Sequence, residues 1–153
     1  MELTFPIKKL RSMTGLEDKF RKLGQTPEVH RLMVDIDLLD LQGNTVISID
    51  AILDTGATIS LLPIAYLKRL PVSPTIRHTV WGIVGDPDCR IEAELKVVDI
   101  HLKDPDGNVS PVLAVPVAFA LSDDCPHLLG MKGLIENSKI CVDLKEKKVS
   151  IVF

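Results

Sequence analysis

Apolar and polar positions alternate along most of this chain, and the alternation breaks at only a few places. Around Leu32, the run RLMVDIDLLDL takes apolar and polar residues by turns, the two-residue period of a strand with one face in a core. It pauses at Gln42-Gly43-Asn44, a hairpin turn signal, and resumes as TVISIDAIL, where Val46, Ile47, Ile49 and Ile52 bring the branched bulk that strands favour. TIRHTVWGIVGDPDCRIEAELKVVDIHL reads as one long hairpin with a glycine-bearing tip. Asp104-Pro105-Asp106-Gly107-Asn108 is a turn, and VSPVLAVPVAFAL a further strand region. In that region Pro111 and Pro116 favour edge or bulge positions, because proline has no N–H to give to a ladder. KICVDLKEKKVSIVF closes the chain as a hairpin turning near Glu146 and Lys147.

Helical signals are few. Residues 1–12 suit a short extended segment. Thr14 and Glu17 stand at capping-box spacing and Gly24 follows LEDKFRKL, which predicts a helix at about 15–23 ended by Thr26-Pro27. Pro63 fits the first turn of a short helix in PIAYLKRL, which Pro71 and Pro74 terminate. HLLGMKGLIEN suggests a bend into another short helix. The pattern is an all-β domain of many short strands, without internal repeats or low-complexity segments.

Composition narrows the possible functions. The chain has 153 residues, 46% hydrophobic and 25% charged, enough for one domain with a true core. A formal charge of −3 argues against a nucleic-acid partner, and the local excess of Lys and Arg in the first 31 residues reads as a solvated face. No stretch is apolar and long enough to span a bilayer, and the N-terminus lacks the layout of a signal peptide. Cys89, Cys125 and Cys141 are odd in number and widely spaced, so free thiols in a reducing cytoplasm are expected. His30, His78, His101 and His127 show no ligand spacing. His127 with Cys125, Asp123 and Asp124 is imaginable as a metal set, but the structural reading of that segment is preferred, and neither metal nor cofactor is expected.

The segment Ala51-Ile52-Leu53-Asp54-Thr55-Gly56-Ala57-Thr58-Ile59-Ser60-Leu61-Leu62 carries the chemistry. Asp, Thr and Gly are turn formers, so Asp-Thr-Gly alone is weak evidence. Here the acid is flanked on both sides by apolar strand residues, which implies a partly buried carboxylate, and burial disfavours the charged form. Gly56 lets the backbone come close enough to donate its N–H to that carboxylate.

ILDTGATISLLP resembles the active-site loop of retropepsins and related single-domain aspartic peptidases. His127-Leu128-Leu129-Gly130 resembles the family's apolar-apolar-glycine motif, which packs beside that loop, and Val80-Trp81-Gly82-Ile83-Val84-Gly85 more loosely resembles the flap that closes over substrate. The resemblance covers residues 30–153 and sets residues 1–29 apart as an N-terminal extension with a short helix. Relatives often carry an acidic or amide residue where this chain has Lys132.

The resemblance implies a closed β-barrel-like domain of the retropepsin type with one or two short helices, forming a twofold homodimer that cuts polypeptides. Asp54 would be the catalytic acid and base in each subunit. Thr55 would brace the two loops across the axis, and Gly56 would position the carboxylate. Ala57, Trp81, Gly82, Ile83, Val84, Gly85 and Leu128 would meet substrate, with Leu129 in the core. The chain contains one Asp-Thr-Gly, so the partner carboxylate must come from a second copy. Ala57 offers no hydroxyl to an ionised pair, so activity should peak nearer mildly acidic or neutral pH than strongly acidic pH. A peptide-binding module with the same fold and little turnover is the alternative, and a plain β-barrel with Asp54 as a turn residue is a third.

Overall fold

Residues 1–10, 16–25, 29–81 and 90–153 are described by a computed structural model of the chain. The alternation that begins near Leu32 becomes β2 (Val29–Leu39), and its continuation past the turn becomes β3 (Thr45–Leu53). The two pair antiparallel from Met33↔Ile52 to Leu39↔Thr45. Val34, Ile36 and Leu38 are buried, while Asp35 between them is exposed, as a two-residue period requires.

β4 (Ser60–Pro63) and the short helix α2 (Ile64–Leu67) follow, after β1 (Glu2–Leu10) and helix α1 (Leu16–Lys22) near the N-terminus. Next come β5 (Ile76–Trp81), β6 (Arg90–Lys103), β7 (Leu113–Ala120) and the two-residue β8 (Leu128–Leu129). A 3₁₀ turn at Ile135–Asn137 and the hairpin β9 (Lys139–Asp143) and β10 (Lys148–Val152) complete the chain. The predicted helices thus shrink to α1, α2 and the 3₁₀ turn. Residues 82–89, among them the expected flap residues Gly82, Ile83, Val84 and Gly85, lie outside the described residues.

The strands run in the order β5-β6-β7-β4-β8-β3-β2-β1-β10-β9, and β6 also pairs with β2. That extra pairing closes β6, β7, β4, β8, β3 and β2 into a ring, so the sheet is a barrel with β1, β10 and β9 as a tail and β5 as a further strand on β6. Closure gives each of those six strands a neighbour on both sides over part of its length. The ring encloses Leu38, Leu53, Leu62, Ile100, Val115, Phe119 and Leu129, all nearly inaccessible. Pro116 is tolerated because β4 pairs with β7 only from Val117 onward, so its missing N–H faces no partner strand.

β1 belongs to this sheet. It pairs with β10 over Glu2–Pro6 and with β2 over Ile7–Leu10, and it buries Leu3 and Phe5 in the core. Strand β9 has only β10 as a neighbour. Cys141, whose alternating run would suit a core position, is instead exposed on this outermost strand. Among the described residues no helix is long and apolar enough to cross a membrane.

Candidate active site

The Asp54 loop is built by an unusual threading of the barrel. β3 and β4 are consecutive strands, yet they do not pair with each other. β8 enters between them, parallel to β3 at Ile52↔Leu128 and Leu53↔Leu129, and antiparallel to β4 at Leu61↔Leu128. The loop from 54 to 59 is thereby clamped from both sides by backbone bonds. The Asp54 N–H donates to the Leu129 carbonyl at 3.0 Å, the Met131 N–H to Ala57 O at 2.9 Å and the Lys132 N–H to Thr58 O at 2.8 Å.

Two small residues make the clamp possible. Gly130 lies so close to the loop that a Cβ on it would meet the carbonyl carbon of Ile59 at 2.4 Å. Its buried N–H donates to Ser60 Oγ at 3.0 Å, and Ser60 is 3% exposed. An unpaired donor there would cost about 1–3 kcal/mol, which explains a lone hydroxyl in the apolar run ISLLP. The sequence reading passed over Ser60, although that isolation was its signal.

The Asp54 side chain is half-buried and takes the Gly56 N–H on Oδ1 at 2.9 Å, the contact anticipated from the glycine. The Ala57 N–H donates to Asp54 O at 3.2 Å. Asp54 opens onto a cleft of about 1040 Å³, the size that holds an extended ligand segment. Of the predicted site residues, Gly56, Ala57, Trp81 and Leu128 line this cleft beside Asp54. Thr55 is exposed and is not part of the wall. Leu129 is 1% exposed and belongs to the core, as expected.

Trp81 stands at the described end of β5, 59% exposed, with the Arg90 guanidinium 4.6 Å above its ring. That cation–π contact joins the last described residue of β5 to the first of β6. Lys132, the departure from the family pattern, pairs with Glu136 one turn on and holds its carboxyl below the usual range. The wall also contains residues not expected from sequence to meet substrate: Arg31, Ile59, His78, Thr79, Asp124, Cys125 and Pro126. Burial, reinforced by the charge of Asp123, pushes the Cys125 thiol up, so it stays protonated near neutral pH. Among the described residues no group of His, Cys, Asp or Glu could hold a metal ion.

A retropepsin-like aspartic protease from Rickettsia conorii superposes on 99% of this chain and 90% of its own, with a TM-score of 0.55 and 13% identity. The chain has the retropepsin-like fold. EIAV protease, solved with the inhibitor HBY-793, aligns over 69% of this chain and 86% of its own, with a TM-score of 0.45 and 19% identity. No protein-family model and no curated protein matches the sequence. Within the retropepsin-like fold, the Asp54 loop, the threaded strand β8 and the β5–β6 hairpin occupy one side of the barrel and share one cleft.

Proposed function

We propose that the protein is an aspartic endopeptidase whose active unit is a homodimer, each subunit contributing Asp54. The reading is supported above all by one observation: a half-buried carboxylate, clamped by backbone bonds, at the wall of a cleft large enough for a peptide. Amide hydrolysis by carboxyl groups needs two of them around one water. One takes a proton from the water as it attacks, and the other gives a proton to the scissile carbonyl oxygen. Two adjacent carboxyls cannot both ionise cheaply, so the pair shares one proton and titrates as a unit.

Asp124 also lines the cleft, but on an exposed loop whose local contact is its own N–H to Ser122 Oγ. It lacks the flanking strands that fix Asp54, so the second acid of this mechanism is the Asp54 of another copy. The exposure of Thr55, beside Asp54, suits a residue that meets its twin across a twofold axis. Gly82 and Gly85 would let the flap bend, and Ile83 and Val84 would contact substrate.

Incubation with denatured protein or a peptide library across pH 4–8, with sedimentation equilibrium on the same sample, tests the reading. Cleavage by a dimer, blocked by a statine-type inhibitor, is expected. Asp54→Asn should lower the rate by roughly 10²-fold or more while dimer and fold persist. Peptide binding without turnover would instead make the protein a binding module.

A further inference from the structure

The imidazole of His127 links β3, which leads into the Asp54 loop, to α2, which follows the strand leaving it. His127 directly precedes β8, and its neighbour Leu128 faces the cleft while its own ring lies on the other side of the sheet, beside Tyr66 and Asp50. Nδ1 sits 3.0 Å from the carbonyl oxygen of Asp50, in β3. Nε2 sits 3.2 Å from the Tyr66 hydroxyl, in α2, and the two rings meet edge-on with centroids 5.3 Å apart.

A carbonyl only accepts, so the bond to Asp50 requires the proton on Nδ1. In the neutral ring Nε2 is then an acceptor, and the Tyr66 hydroxyl donates to it. Each nitrogen is matched to a partner of the right sense. The consequence for the loop follows from the ladder. The Ile52 N–H donates to His127 O at 2.9 Å, and the Asp54 N–H to Leu129 O. The imidazole adds a tie at Asp50, so positions 50, 52 and 54 of the strand leading to the carboxylate are each bonded to the β8 segment. This tie lies beyond the end of the two-residue β8, directly after Pro126. Tyr66 carries the same link to the opposite flank, because α2 continues directly from β4.

We propose that His127, as its Nδ1–H tautomer and together with Tyr66, is a positioning residue for Asp54: it fixes the register of β3 and β4 against β8 and so fixes where the carboxylate points. The inference rests on the reading of Asp54 as the catalytic acid. A misplacement of about 1 Å at a reacting group can cost about 10²-fold in rate, so kcat is where the tie should register. KM should hold, because the ring lies behind the cleft wall.

The test has one arm that needs no substrate. Nitrogen-15 NMR of the imidazoles should show His127 protonated at Nδ1 with Nε2 unprotonated. Amide hydrogen exchange at Asp54 should quicken roughly tenfold in Tyr66→Phe and in His127→Gln, as expected when a local tie is lost without global unfolding. In the second arm, Tyr66→Phe, which removes only a hydroxyl, should lower kcat several-fold with KM within twofold and little change in Tm. An Nε2–H tautomer, or unchanged exchange and kcat in both variants, overturns the proposal. Absence of cleavage by the unsubstituted protein, with the tautomer and exchange results as expected, would overturn the peptidase reading and with it the catalytic role of the tie.

Discussion

At the residue scale the site depends on atoms that are missing as much as on atoms that are present. Gly130 has no Cβ, and any other residue would drive one into the Ile59 carbonyl and to 2.9 Å from Ser60 N. Backbone cannot move aside as a side-chain tip can. Gly130→Ala should therefore destabilise the fold by about 1–3 kcal/mol, seen as a lower urea midpoint, and should remove cleavage activity even in the folded fraction. Ser60→Ala leaves the cavity nearly unchanged but strands the Gly130 N–H. A loss of about 1–3 kcal/mol is expected, against near-neutrality if the hydroxyl were incidental. Asp54, Gly56 and Ala57, which line the cleft, were legible as a candidate because an Asp-Thr-Gly between apolar runs is a short, local pattern, and Leu128 through its resemblance to a second motif. Ser60 and His127 were harder. Their partners, Gly130 at 70 residues' distance and Tyr66 at 61, become neighbours only through the threading of β8.

At the element scale two turns share one design. Asp40-Leu41-Gln42-Gly43-Asn44 and Asp104-Pro105-Asp106-Gly107-Asn108 both read D-x-x-G-N. In each, the aspartate Oδ1 accepts the asparagine N–H at 2.8 Å and Oδ2 accepts its side-chain amide. In each, the glycine has positive φ, +82° and +87°, where a side chain would be strained. The asparagine amide is the first cause holding both carboxyls below their ordinary range. A folded-state value lower than the unfolded one means that the unfolded chain binds more protons as pH falls. The stability these turns contribute is thus present above about pH 4, the unfolded aspartate value, and is lost as pH drops through the lower folded values. The double variant Asp40→Asn with Asp104→Asn should have a lower Tm at pH 7 and a shallower fall of Tm between pH 5 and pH 2. An unchanged slope would show that other carboxyls govern acid unfolding. Both turns were legible in the sequence as turns. The carboxylate grip was not, because it needs the backbone geometry that the closed hairpin supplies.

At the scale of the whole molecule, the barrel closes through contacts far apart in sequence. β2 meets β6, β4 meets β7 in parallel, and the first strand pairs with the last, β10. The termini meet directly: the Phe153 N–H donates to Met1 O at 2.9 Å. Phe5, 1% exposed, places the N-terminal strand inside the core. Phe5→Ala should cost about 3–5 kcal/mol, a large share of the roughly 5–15 kcal/mol that holds a domain together, and equilibrium urea unfolding would measure it. A loss under 1 kcal/mol would mean that β1 is an appendage to an otherwise self-sufficient barrel. The sequence by itself determined most of the strands and turns and the position of the candidate carboxylate, because each depends on the period and chemistry of a few neighbouring residues. Tertiary structure alone decided that β8 slots between β3 and β4, which faces of the outer strands stay bare and which distant side chains brace the loop. Those outcomes turn on hydrogen-bond pairing and steric fit between segments 60 to 150 residues apart, about which a local pattern holds no information.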